Sequence, residues 1–154
     1  ALPGGQIFIT RAFLDRIETE GQLAGILGHQ MGHVITRHAA RQMVEKEQTQ
    51  GLIAAISTES GQTRSAQVIE VNQQLTDIIY SRDDEIESDY FGIRIMSEAG
   101  YDPRAMISVM KLLNNITIEP EFFTTHPNPE DRVDSIREVI LVLFPSGVPE
   151  GLTP

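Results

Sequence analysis

A predominantly helical α+β fold is predicted for this 154-residue chain from three observations. Apolar residues recur at helical spacing through most of its length. Gly and Pro stand where those stretches begin or end. One short segment near the start, "GQIFITR" (5–11), instead alternates apolar and polar side chains as a strand does. Hydrophobic residues make up 40% and charged residues 22%, which is ordinary for a globular chain. The length suits one domain over residues 1–154, able to bury about two-thirds of its unfolded surface. The abrupt start on "ALPGG" reads as processed or trimmed, so an N-terminal portion is expected to be missing.

The strand sets Ile7 and Ile9 against Gln6, Phe8 and Thr10, after a Pro-Gly-Gly turn. A short helix is expected next, with Phe13, Leu14 and Ile17 on its apolar side. Thr19 with Gln22 has the form of a capping box and opens a helix expected to run to about Lys46. Leu23, Ile26, Leu27, Met31, Val34 and Ile35 give it an apolar face. Gly25, Gly28 and Gly32 lie inside that helix, each at a cost of roughly 1 kcal/mol relative to Ala. Such a cost points to something packed close against the backbone.

Residues 57–66 are polar and expected to form a loop, and apolar spacing resumes from Val68 to Ile79. A second long helix is expected from about Ser81 to Ala99, stopped by Gly100 and Pro103. Pro103 opens another, through about Leu113. "EPEFFTTHPNP" (119–129) is read as a loop carrying His126. Asn128 can cap, and Pro129 open, a last helix through Val142. The tail is irregular.

The net charge of −10 excludes nucleic acid as a partner, since its phosphates would repel the chain. No apolar run approaches the roughly 18 residues a membrane helix needs, so no transmembrane segment is expected. Cysteine is absent, so any metal would be held by His, Asp or Glu.

"GHQMGHVITRH" (28–38) carries the chemistry. Four residues on a helix turn through about 400°, so His29 and His33 project from one face and can share an ion. Taken alone, two histidines at this spacing are a weak signal. "SRDDEIESDYFG" (81–92) offers Glu85 and Asp89, also four apart. Glu85 can complete a His-His-Glu set that leaves a position open for water. Asp89 can accept from the free ring nitrogen of a metal-bound histidine. Glu87 points about 200° away around the helix, and its change to Ala is expected to do little. Without the histidines, these carboxylates would read as a solvated acidic face. Arg37 and His38 read as packing or pairing residues, and Arg82 as a partner for neighbouring acids or a support for the site.

Together these stretches resemble the gluzincin zinc metallopeptidases of peptidase family M48, the group of HtpX and the CAAX prenyl proteases. The "ALPGG" lead-in matches residues 1–9. The zinc helix H-E-x-x-H-v-x-x-R-H matches His29 to His38 except at Gln30. S-R-x-x-E-x-x-A-D matches Ser81 to Asp89, with Ser88 where Ala is usual. T-H-P followed by Arg matches Thr125, His126, Pro127 and Arg132. The resemblance covers roughly residues 1–140.

It implies a gluzincin-type fold with the short strand beside the zinc helix, and one Zn2+ held by His29, His33 and Glu85 with Asp89 behind them. Position 30 is then the general base. Gln there can hydrogen-bond water but cannot take its proton, so this form is expected to be inactive, by deliberate Glu→Gln replacement or as a naturally inactive polypeptide-binding relative. His126 has two readings, fourth zinc ligand or oxyanion stabiliser, beside that of an ordinary loop histidine. The resemblance is nearest to soluble periplasmic members in envelope protein quality control, implying unfolded or misassembled polypeptide as substrate. Any membrane association would come from residues before Ala1.

Overall fold

Six helices are found in the computed structural model, which describes residues 1–56, 79–115, 126 and 129–154. They are α1 (Arg11–Leu14), α2 (Glu20–Ile35), α3 (His38–Ile56), α4 (Arg82–Glu98), α5 (Ala105–Asn115) and α6 (Pro129–Leu143). The expected loop at 57–66, the apolar spacing from Val68 to Ile78 and the cap at Asn128 lie outside the described residues.

Residues 6–10 keep the alternation the sequence shows, with Ile7 and Ile9 half-buried and Gln6, Phe8 and Thr10 exposed. They nevertheless form no strand. Among the described residues the one isolated β-bridge pairs Tyr101 with Thr153. Alternation reports which side faces the core, whereas a strand also needs a partner for its backbone hydrogen bonds. Among the described residues none supplies one.

The helix expected from Thr19 to Lys46 is two helices. Thr19 caps α2, its side chain accepting from Gln22 N–H at 3.1 Å. Gln22 reaches back to Glu18 N–H (2.7 Å), one residue beyond the capping-box position. The break comes at Thr36–Arg37. Thr36 Oγ1 donates to Gly32 O at 2.8 Å, and Arg37 takes a left-handed φ of 58°, which costs a non-glycine residue roughly 1–2 kcal/mol. The turn brings His38, fully buried, back against α2. Apolar spacing continues across the break, which is why the pattern hides it.

α4 opens with a complete capping box: Ser81 Oγ accepts from Asp84 N–H, and Asp84 Oδ2 accepts from Ser81 N–H. It ends as expected at Gly100, whose φ is 91°. α5 begins at Ala105, two residues beyond Pro103, after a turn. The tail runs back beside these elements, Pro154 O accepting from Gly21 N–H at 2.9 Å.

α2 crosses α4 at very short range. A Cβ on Gly28 would lie 2.8 Å from Gly92 O, and one on Gly32 would lie 2.7 Å from Ser88 O. Those glycines remove the side chains that would hold the helices apart. Ile26, Ile93, Met96, Met106, Val109 and Ile136 fill the core around the crossing. Burying each such side chain contributes about 1.5–3 kcal/mol, which offsets the cost of glycines within the helices. Among the described residues, no helix is long and apolar enough to cross a membrane.

Candidate metal centre

The crossing places the two helix-borne pairs face to face. His29 and His33 leave α2, and Glu85 and Asp89 leave α4, all buried. His29 Nε2 lies 3.0 Å from His33 Nε2. Glu85 stands 3.6 Å from His29 Nε2 through Oε2 and 3.3 Å from His33 Nε2 through Oε1. A tetrahedral ion with bonds of about 2.0–2.1 Å separates its donors by roughly 3.3–3.4 Å. The three pairwise separations, from 3.0 to 3.6 Å, bracket that spacing. With His126 they form a buried group whose ligating atoms all lie within 4.8 Å of one another.

Electrostatics prepare the same atoms. Burial pushes the His33 imidazole down to about 3, against the opposing hydrogen bond it makes to Glu85, so a lone pair is free for a metal at neutral pH. Burial also lowers His126. Burial alone would raise Glu85, but hydrogen bonds from His126 and His33 hold it well below the usual carboxylate range. Glu85 is thus an anionic, fully buried carboxylate.

Behind the donors each histidine is held differently. His29 Nδ1 faces Asp89 Oδ1 at 2.9 Å. Asp89 also receives Arg132 of α6 twice, from Nε at 2.7 Å and from Nη2 at 2.6 Å. Arg132 Nη1 donates to Glu85 Oε2. Burial would raise Asp89, yet the Arg132 charge and the His29 hydrogen bond lower it. Arg132 is itself raised by the two carboxylates in spite of its burial.

His33 Nδ1 faces His38 Nδ1 at 2.8 Å, and His38 Nε2 faces Glu87 Oε2 at 2.9 Å. Tyr80 stacks on His33 with ring centroids 3.8 Å apart. Its hydroxyl is pushed up to about 12 by burial and by the charges of Glu85 and Asp84. The expectation that Glu87 stands apart from the site is therefore corrected. Helix geometry sets it about 200° around from Glu85, but its side chain meets the buried His38 ring.

His126 enters the same site, its Nδ1 2.7 Å from Glu85 Oε1 and its Nε2 3.5 Å from Gln30 Nε2. Gln30 is half-buried and lines an open cavity of about 190 Å³. Phe8, Ile9, Phe13, Val109 and Leu113 give that cavity an apolar wall.

The profile of peptidase family M48 matches residues 1–140. The chain belongs to peptidase family M48. It is 29% identical over 148 residues to the beta-barrel assembly-enhancing protease of Escherichia coli (strain K12), covering 87% of this chain and 30% of that protein. The putative beta-barrel assembly-enhancing protease of Vibrio cholerae is 30% identical over 150 residues, 88% of this chain and 31% of that one. The mitochondrial metalloendopeptidase OMA1 of Schizosaccharomyces pombe is 28% identical over 143 residues, 89% of this chain and 42% of that one. The chain thus spans about a third of the length of the bacterial relatives.

Within this M48 site, sequence reasoning reaches His29, His33, Glu85, Asp89 and His126 but not the parts played by Arg132, His38 and Glu87. Arg132 is visible only as the last member of the T-H-P…R motif. The Arg-His pair closing the zinc-helix motif is the signal for His38. Arg82 is exposed and makes none of the ion pairs found among the described residues, which instead join Arg41 to Asp84 (3.0 Å) and Glu87 (3.8 Å).

Proposed function

We propose that the chain is a zinc endopeptidase domain of family M48, disabled in this form by Gln30. The observation that carries the reading is the buried group of His29, His33, Glu85 and His126, preset at ligand spacing. His29, His33 and Glu85 would hold the ion, which when bound supplies an acidified water and a Lewis acid for the scissile carbonyl. Asp89 fixes the His29 tautomer by accepting from Nδ1–H, which leaves Nε2 as the ligating atom. Arg132 bridges the two buried carboxylates and offsets their mutual repulsion.

Position 30 lines the cavity together with His29 and His126, where a carboxylate would accept a proton from water and return it to the leaving amine. The Gln30 amide holds a hydrogen bond there but accepts no proton. Losing such a base costs about 10²–10⁴ in rate. His126, beside Glu85, would supply a fourth nitrogen to the ion in a resting form.

The apolar wall beside Gln30 suits side chains that folded proteins bury, which favours unfolded or misassembled polypeptide as substrate. Relatives named for beta-barrel assembly favour an extracytoplasmic, periplasmic setting in envelope protein quality control. A second reading, a zinc-containing polypeptide-binding module without catalysis, is favoured by Gln30 itself.

One experiment separates the two. The purified chain is expected to carry one zinc, and Gln30→Glu is expected to keep that zinc while gaining cleavage of an unfolded protein by at least about 10²-fold. Adding His126→Ala to Gln30→Glu is expected to raise basal cleavage further with zinc retained. A zinc-loaded Gln30→Glu chain that cleaves no unfolded substrate would establish the binding-module reading instead.

A further inference from the structure

His38 is fully buried and lies on the far side of His33 from the ligand cluster. It is not within reach of the ion, yet it is joined on both ring nitrogens. Its Nδ1 faces His33 Nδ1 at 2.8 Å, and its Nε2 faces Glu87 Oε2 at 2.9 Å and Asp84 Oδ1 at 3.3 Å. Arg41 anchors both carboxylates from the surface.

The direction of these hydrogen bonds follows from the ligand geometry. His33 points Nε2 at His29 and Glu85, so a metal taken there leaves the His33 proton on Nδ1. That N–H can only donate, and the atom in front of it is His38 Nδ1, which must then be bare and accept. The His38 proton is consequently on Nε2, aimed at the Glu87 carboxylate. Every bond in the chain has one donor and one acceptor, from the metal ligand outward to the surface.

We propose that His38 is a positioning residue for the metal centre: its Nδ1 accepts from His33 Nδ1–H and so fixes the tautomer and ring angle that present His33 Nε2 to the ion, while Glu87 holds His38 in the matching tautomer. The proposal rests on the reading of His33 as a ligand. It explains two features that the ligand set leaves unexplained. Arg37 keeps a left-handed φ at the one turn that swings His38 under His33. A histidine occupies a fully buried position where an apolar side chain would otherwise pack at no hydrogen-bonding cost.

The same geometry names a replacement. An asparagine at position 38 carries an amide oxygen at nearly the place of Nδ1 and can accept from His33. A phenylalanine fills the ring volume but accepts nothing. Partners behind metal-bound histidines typically carry 10–100-fold in affinity.

The test is zinc affinity of the full chain by competition with a chromogenic chelator, with folding checked by circular dichroism. His38→Phe is expected to bind zinc about 10–100-fold more weakly than the unaltered chain, and His38→Asn to recover most of that loss. In the zinc-loaded unaltered chain, nitrogen-15 NMR is expected to show His33 protonated on Nδ1 and His38 on Nε2. Glu87→Ala, at a half-exposed position that threatens no core packing, is expected to weaken zinc by a few-fold and provides a reading if His38→Phe does not fold. Equal zinc affinity in the unaltered, His38→Phe and Glu87→Ala chains, or a His38 proton found on Nδ1, would overturn the proposal. An unaltered chain that binds no zinc would instead remove the ligand reading beneath it.

Discussion

His29 and His33 sit one helical turn apart on α2, yet the two sides of the site behind them are built from different chemistry. Behind His29 stands a buried charge system, Asp89 with Arg132 and through it Glu85. Behind His33 stands a second histidine whose far nitrogen reaches Glu87, a carboxylate that is 48% exposed. The first side closes on itself inside the protein, and its three charged members have no water to fall back on. The second side hands its last hydrogen bond to the surface, where water can stand in for a lost partner. Two histidines on one helix thus stand against surroundings expected to differ in their tolerance to change.

The strongest way to break this comparison is to remove one carboxylate from each side. Asp89→Ala would strand the Arg132 guanidinium with Glu85 as its remaining carboxylate in a dry environment. Breaking a buried pair in this way destabilises by about 3–5 kcal/mol. Urea unfolding of the chain is expected to show a loss of that order, with zinc binding severely weakened. Glu87→Ala is expected to stay within about 1 kcal/mol of the unaltered chain, as partly exposed ion pairs do. Equal losses in the two variants would dissolve the distinction between a closed side and an open one.

A smaller effect should strike both sides together. Gly32 lies where α2 and α4 touch, and a Cβ there would meet Ser88 O at 2.7 Å and Ser88 Cα at 2.8 Å. These are backbone atoms of a helix, so they cannot swing aside as a side chain would. Gly32→Ala must therefore part the helices, moving Glu85 and Asp89 away from His29 and His33 at once. Overpacking of this kind costs about 1–3 kcal/mol. Thermal unfolding and zinc titration are expected to report a moderate loss of stability alongside weaker binding. A change in stability with unaltered zinc affinity would show that the ligand set does not depend on the closeness of the crossing.

This crossing is partly legible in the sequence. Gly25, Gly28 and Gly32 are poor helix formers in the middle of a helix, and that cost by itself signals a close neighbour. The i, i+4 spacing of His29 with His33 and of Glu85 with Asp89 gives each half of the centre, because helix geometry fixes which side chains share a face. What stays hidden depends on tertiary placement. The break at Arg37 leaves the apolar spacing intact, so nothing in the pattern announces that His38 turns inward. Arg132 comes from a helix far along the chain, and only folding brings it to Asp89. Residues 6–10 show the opposite case, since their alternation is real but the hydrogen-bonding partner that would make it a strand lies beyond what alternation can report.

The finest test concerns Ser88 of α4. It is fully buried, and its Oγ lies 3.3 Å from His38 Nδ1. That nitrogen already faces His33 Nδ1 at 2.8 Å, and one lone pair cannot serve two donors well. The shorter, better-placed bond from His33 should take it, leaving the serine hydroxyl a marginal contributor. Ser88→Ala keeps the small side chain beside Gly32 and removes only that contribution, so the change is expected to be within about 0.5 kcal/mol in stability, at the low end for a hydrogen bond. Zinc affinity is expected to shift by no more than about twofold, which by the same conversion is under about 0.5 kcal/mol. A loss as large as that of His38→Phe would mean that the hydroxyl, and not the His33 N–H, is what His38 accepts from. The open side of the site would then run from Glu87 through His38 to Ser88 and stop short of the metal, leaving His33 held by Tyr80 stacking and the helix alone.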